Sequence, residues 1–328
     1  MAHSRWLLTW TLAVAIALAG WIAFEICWRA QGYAPTVMDS MDLWSLNRGR
    51  AVKTSSPLPV ALLGASRIQY GLSPSVFRDE APGTAPLMLA INGRYPLAAL
   101  RDLAEDTRFE GVAVVGIDAR GMDKRVWEMQ AGYVQQYRHD WSPAREVHRR
   151  LLTYVQQEAI AARPDFAWVT LVKRWFNRAG PPYREYVTFE RDRSGGTDYR
   201  KSAVAAVRNA RVADLKNYYR DNPPPAPAEW LNDMREVVRW VQQINRRGGK
   251  VVIYREPVSD GHLEQDEANF PRALYWDKLV SIMPALLVDF RDYPELNIDT
   301  PDTSHIDIKD IDRHTRALVR VLKLKGVL

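Results

Sequence analysis

The chain opens on an unbroken apolar run, passes through a mixed polar stretch, and then alternates short apolar blocks with amphipathic ones. Residues 6–28 read WLLTWTLAVAIALAGWIAFEICW, with Glu25 as their one charge. About 20 apolar residues at roughly 1.5 Å rise each cross a bilayer core. Trp6, Trp10, Trp21 and Trp28 lie towards the ends of the run, where aromatic side chains line the lipid–water boundary. A cleaved signal peptide is the rival reading, because Ala17-Leu18-Ala19 has the small-x-small form of a cleavage site. The apolar run continues to Trp28, longer than a signal segment needs, so the expectation is an uncleaved transmembrane anchor, residues 1–28. Arg5 and the α-amino group precede it, which favours an N-terminus inside. Residues 29–57, with Gly32, Pro35 and the ending TSSP, read as a juxtamembrane stalk.

From residue 58 on, five short continuous apolar runs predict strands: 59–65 (PVALLGA), 86–92 (PLMLAIN), 111–118 (GVAVVGID), 250–257 (KVVIYREP) and 285–290 (ALLVDF). Runs that do not alternate with polar residues suit strands covered on both faces. Helical periodicity fills 97–105, 227–247, 263–282 and 307–325. Strands alternating with helices predict a three-layer α/β/α domain, residues 58–328, on a five-stranded parallel sheet. The gap at 119–249 exceeds an ordinary crossover and reads as a helical insertion capping the carboxyl edge of the sheet. Within it, helical stretches at 143–162 and 202–220 flank a polar loop around 191–198 (RDRSGGTD) and a proline-rich break at 222–225.

Composition narrows the function classes. With 47% hydrophobic and 26% charged residues the chain can build a packed core, which excludes wholesale disorder. The net charge of +6 is spread along the chain; the densest groups, Arg145/Arg149/Arg150 and Arg246/Arg247, read as solvated surface. No basic face for nucleic acid is expected. Cys27, the one cysteine, lies in the apolar run, so the rest of the chain has neither disulfides nor thiolate metal ligands. His3, His139, His148, His262 and His314 show no metal-ligand spacing, and His314 reads as a surface residue. No metal or cofactor is expected.

In a doubly wound sheet, sites form beyond the carboxyl ends of the strands. There the sequence places Gly64-Ala65-Ser66-Arg67, Asn92-Gly93-Arg94, Gly116-Ile117-Asp118 and, past the fifth strand, Asp302-Thr303-Ser304-His305; the fourth strand is read as delivering nothing. A serine hydroxyl needs a base to take its proton. Asp302 and His305, two residues apart before a helix, can supply that base and the carboxylate that fixes its tautomer. The backbone N–H at the Ser66 turn can face a developing oxyanion. Each piece alone has a bland reading, as a helix cap or a strand–helix turn.

Together, LLGASR at 62–67, the glycine at 93 and the Asp-x-x-His at 302–305 resemble the blocks of the SGNH/GDSL hydrolase superfamily. The likeness is to its divergent membrane-anchored branch, whose first block reads Gly-x-Ser-Arg and which is associated with polysaccharide O-acylation. The likeness covers about 58–118 and 250–325 and implies a flavodoxin-like sheet, with Ser66 as nucleophile, His305 as base and Asp302 as orienter. It implies backbone donors at Ser66 and Gly93 for the oxyanion. The third block departs from the family: it reads Gly116-Ile117-Asp118-Ala119 where an asparagine donor stands in the family, and an ionised Asp118 accepts but cannot donate. Either Asn92 or another donor substitutes, or activity is low, or the chain is a non-catalytic relative. Asp118 also reads as a structural acid for Arg67, Arg94 or Arg120. The resemblance implies an O-acetyltransferase or acetylesterase acting on an exported or cell-envelope polysaccharide. It would be held as a single-pass protein in a bacterial inner membrane, facing the periplasm, beside a multi-pass acyl donor or a polysaccharide synthase complex. The alternative is a scaffold subunit of an exopolysaccharide synthesis or export complex. The insertion's aromatics, among them Trp127, Tyr133, Trp141, Trp168, Trp175, Tyr183 and Tyr186, read first as cap packing and second as a glycan groove.

Overall fold

A computed structural model describes residues 2–52, 56–182 and 187–328. Its strands are β1 (Leu58–Leu63), β2 (Thr84–Met88), β3 (Val112–Gly116), β4 (Val187–Phe189), β5 (Gly195–Thr197), β6 (Lys250–Arg255) and β7 (Leu286–Asp289). Its α-helices are α1 (Ala2–Ala30), α2 (Met41–Arg50), α3 (Ser66–Gly71), α4 (Pro74–Glu80), α5 (Leu97–Glu105), α6 (Ala131–Gln135), α7 (Pro143–Glu158), α8 (Trp168–Phe176), α9 (Val204–Asp221), α10 (Pro227–Arg246), α11 (Asp260–Asn269), α12 (Trp276–Val280) and α13 (Ile311–Leu324).

Five strands form one all-parallel sheet in the order β2-β1-β3-β6-β7, and β4 and β5 form a separate antiparallel pair. Side-chain alternation divides each central strand between two cores. Val60, Leu62, Val112, Val114, Val252 and Tyr254 face one side, under Phe77 of α4 and Leu318 and Leu322 of α13. Ala61, Leu63, Ala113, Val115, Val251 and Ile253 face the other, under Leu100 of α5, Trp230 and Val237 of α10 and Leu279 of α12. Burial on both faces is why these strands read as continuous apolar runs. The order reverses around β1, so the crevice between the carboxyl ends of β1 and β3 is the switch point at which such sheets bind ligands.

The predicted strand at 86–92 ends early as a named element, at Met88, yet Leu89 and Ile91 still donate to Leu62 O and Gly64 O at 2.9 and 3.0 Å. The single helix expected at 263–282 is two, α11 and α12, broken at Phe270-Pro271 because the residue before a proline is pushed out of the helical region. The loop expected around 191–198 is only partly loop: residues 190–194 turn the β4–β5 hairpin, and Gly195–Thr197 are β5 itself. The insertion is also shorter than expected: α10 lies in the α5 layer as the crossover to β6.

The stalk reading is corrected over 41–50. This segment is α2, capped by Ser40 Oγ on the N–H of Leu43, with Leu43, Trp44 and Arg48 fully buried. Trp44 Nε1 donates to Leu89 O at 2.9 Å, and Arg48 binds Asp102 at 2.5 Å and Asp106 at 3.1 Å. Residues 53–55 lie outside the described residues. Two arginines read as solvated surface are also structural. Arg149 is buried and donates to Met38 O, and Arg247 donates to the carbonyls of Leu103, Ala104 and Phe109, closing the end of α5.

His314 corrects a further expectation: it is 1% exposed, with Nδ1 donating to Gly71 O at 2.8 Å and Nε2 accepting from the Tyr254 hydroxyl at 2.6 Å. Burial pushes its pKa down to about 4. The folded state holds His314 neutral while the unfolded chain protonates near 6.5, so unfolding takes up a proton between those values. Stability should be flat in this group above pH 6.5 and should fall as pH is lowered towards 4. Denaturant unfolding of His314→Gln at several pH values should show lower overall stability but a slope between those limits shallower by about one proton; equal slopes would contradict the assignment.

Candidate active site

The site begins with a close approach. A Cβ on Gly64, at the end of β1, would run into Ile68, and one on Gly116, at the end of β3, would run into Ile68 and Glu256. With both positions glycine, Ile68 seats between the strands and α3 starts immediately after β1. Ser66 is the first residue of α3, so its N–H has no intrahelical acceptor. Gly93 turns the chain after β2 with φ +70°, a conformation that favours glycine. Ser66 and Gly93 line one open pocket of about 610 Å³ with Arg67, Arg94, Tyr95, Arg120 and residues of α9. Among the described residues, no hydrogen bond takes either N–H.

His305 arrives from 239 positions later: its Nε2 lies 2.7 Å from Ser66 Oγ, and its Nδ1 lies 2.9 Å from Asp302 Oδ2. An ionised carboxylate only accepts, so Nδ1 carries the proton and Nε2 is free to accept the serine hydroxyl. Asp302 Oδ1 accepts the N–H groups of Ser304 at 2.9 Å and His305 at 2.7 Å, which folds the Asp-x-x-His segment into a tight turn. Thr303 sits inside that turn at φ +74°, fully buried. A β-branched residue there is strained by about 1–3 kcal/mol, held by its surroundings.

Burial alone would raise the Asp302 pKa, but the hydrogen bond from His305, the charge of Arg211 and the backbone donors hold it well below the usual carboxylate range. For His305, burial wins: its pKa lies below the ordinary value, with Asp302 opposing and Arg211 and Arg67 reinforcing the shift. The imidazole is therefore neutral, and competent to take a proton, at pH 7.

Asp118, expected at the position of the family's asparagine, does not line the pocket. Its Oδ1 accepts from Gly121 N–H at 2.7 Å and its Oδ2 binds Arg67 at 2.6 Å, with Arg120 at 3.6 Å. The structural-acid alternative is thus what the geometry displays. Desolvation works against its charge, but the two arginines hold its pKa well below normal. Arg67 Nη1 has no hydrogen-bond partner, and Arg67 is a pocket-lining residue. Asn92 is corrected: it is exposed and outside the pocket lining, and its N–H donates to Gln69 Oε1 at 2.8 Å.

Five side chains escaped the sequence reading. Arg211, on α9, binds Asp302 Oδ2 at 2.9 Å, and Arg208 donates to Pro301 O at 3.1 Å, so the insertion grips the Asp302 loop directly. Glu256 follows β6, the strand thought to deliver nothing, and lies 3.9 Å from Arg67; burial pushes its pKa up to about 7, against the pull of Arg67. Tyr95 and Tyr218 are the pocket's aromatic walls. Of the insertion aromatics, Trp127 and Tyr199 are buried, Trp168 and Trp175 are exposed away from the pocket, and Tyr183 and Tyr186 lie outside the described residues. Among the described residues, no cluster of three or more His, Cys, Asp or Glu is placed to hold a metal ion.

No protein-family model matches the chain, and no curated protein matches its sequence. The likeness to SGNH/GDSL hydrolases therefore rests on the motifs and their geometry. That geometry makes one prediction independent of activity. Titrating His305 by NMR should give a pKa below 6.5; Arg211→Ala should raise it and Asp302→Asn should lower it further. Shifts in the reverse directions would overturn the charge arrangement.

Proposed function

We propose that the chain is a membrane-anchored SGNH-type acyl-ester enzyme. The observation that carries this reading is the continuous Ser66–His305–Asp302 hydrogen-bond chain at the carboxyl edge of a parallel sheet, opening on a pocket. Ser66 Oγ attacks the acyl carbon while His305 Nε2 takes the hydroxyl proton. The carbonyl π electrons move onto oxygen, where the N–H groups of Ser66 and Gly93 meet them. Collapse expels the alcohol, protonated by His305, and leaves an acyl-serine. Water or a sugar hydroxyl then gives up its proton to His305 and takes the acyl group. In the first case the protein is an esterase, in the second an acyltransferase. Asp302 stays ionised throughout and stabilises the imidazolium.

The target we propose is an exported or cell-envelope polysaccharide, with acetyl as the acyl group and a multi-pass donor or synthase complex as partner. The motif likeness supports this, together with α1, which is long and apolar enough to cross a membrane. On this reading the domain faces the periplasm of a single-pass inner-membrane protein. A second reading, a non-catalytic scaffold, is favoured by Asp118, which supplies no side-chain amide to the oxyanion. A missing donor of that kind lowers rates by about 10²–10³.

A fluorophosphonate probe separates the two: labelling of the wild type and none of Ser66→Ala supports the enzyme, whereas a folded, unlabelled wild type removes it. With a chromogenic acetyl ester, Ser66→Ala should lose at least about 10³-fold in rate, and Asp302→Asn on the order of 10⁴-fold. Activity should fall only as the pH drops below the ordinary histidine value, because His305 is held neutral there.

A further inference from the structure

Among the described residues, the apolar face of α8 is left largely uncovered, with only the Phe24 ring beside its first residue. At about 100° per residue, Trp168, Val169, Val172, Trp175 and Phe176 occupy one arc of about 120°. All five are exposed, Trp168, Trp175 and Phe176 by 76%, 75% and 72%. Soluble surfaces rarely present so contiguous an aromatic face. Lys173 and Arg174 lie off this arc, and Arg178 follows the helix.

What borders this face identifies its occupant. The Phe24 ring of α1 lies 6.2 Å from that of Trp168 and 6.4 Å from that of Phe166, and Trp28 stacks edge-on against Phe166 at 4.9 Å. Glu25, the single charge of the apolar run, accepts the N–H groups of Ile160 and Ala161 at 3.2 and 2.9 Å, and Arg29 donates to Glu158 O at 2.8 Å. The segment leading into α8 is thus fastened to the far end of α1. Trp21, Ile22 and Ile26 of α1 are themselves exposed. Tryptophans beside the end of a span sit at headgroup level, and an amphipathic helix with flanking cations lies in that plane.

We infer that α8 is a second membrane contact, lying in the lipid–water interface beside the outer end of α1 with its aromatic face in lipid. The inference is independent of the enzyme reading and rests on α1 crossing a bilayer. Two contacts rather than one then fix the tilt of the α/β domain on the membrane.

The full chain carrying Cys27→Ser, in nanodiscs of mixed zwitterionic and anionic lipid holding one chain each, takes a single spin label. Label sites are Val172→Cys or Phe176→Cys on the face, Thr170→Cys or Arg174→Cys off it, and Leu18→Cys within α1. Collision with oxygen should exceed collision with an aqueous nickel chelate at 18, 172 and 176, and the order should reverse at 170 and 174. Nickel dominance at 172 and 176 with oxygen dominance at 18 overturns the inference and leaves the anchor intact. Nickel dominance at 18 as well removes the anchor itself. Shielding of 172 and 176 from both reagents means that protein covers the face, and also overturns the inference. As a second readout, brominated lipids should quench less tryptophan fluorescence in Trp168→Leu/Trp175→Leu than in the wild type; equal quenching counts against lipid contact.

Discussion

Asp302 receives three hydrogen bonds, from two backbone N–H groups of its own turn and from the His305 ring, together with an ion pair from Arg211. That one carboxylate joins the catalytic-looking loop, the imidazole and the α9 cap. Remove this side chain and the imidazole loses its tautomer, Arg211 loses its partner, and the strained Thr303 turn loses the acceptor that closes it. Buried ion pairs broken on one side are among the most destabilising changes, at about 3–5 kcal/mol. The insertion is therefore part of the site: α9 supplies both a wall of the pocket and a charge on the triad.

Behind the triad lies a second polar layer. Asp118, Arg67, Arg120 and Glu256 are packed where β1, β3 and β6 end. Two guanidiniums cover the Asp118 carboxylate, and it lies outside the pocket lining. Asp118 is a buried anchor that holds Arg67 in the pocket wall. Arg67 Nη1 is buried and lies 3.9 Å from Glu256, so Asp118 and Glu256 together hold that guanidinium.

The sheet, its parallel direction and helices such as 97–105 were legible because they obey simple periodicities and because both sheet faces are apolar. Ser66, Asp302 and His305 were legible because each follows a strand or precedes a helix at the edge where sites form. What failed has a common cause: burial achieved by pairing rather than by apolarity. Segment 41–50 looks like a polar stalk because its buried arginine is matched by Asp102 and Asp106, some 54 and 58 residues away. His314 looks superficial because the partners that satisfy it, Gly71 and Tyr254, come from distant elements. Arg211 carries no local signal at all; its role exists only once α9 has folded over the loop.

The segment joining α1 to α2 has a consequence for reach. Tyr33 donates to Pro182 O at 2.6 Å, Val37 N–H donates to Phe189 O at 3.1 Å, and Tyr33 and Val37 are both buried. With this link sewn to the body, the globular part cannot roam as a bead on a string. It works as a turret bolted to its base, and the reach of its pocket is set by α1 rather than by a slack tether.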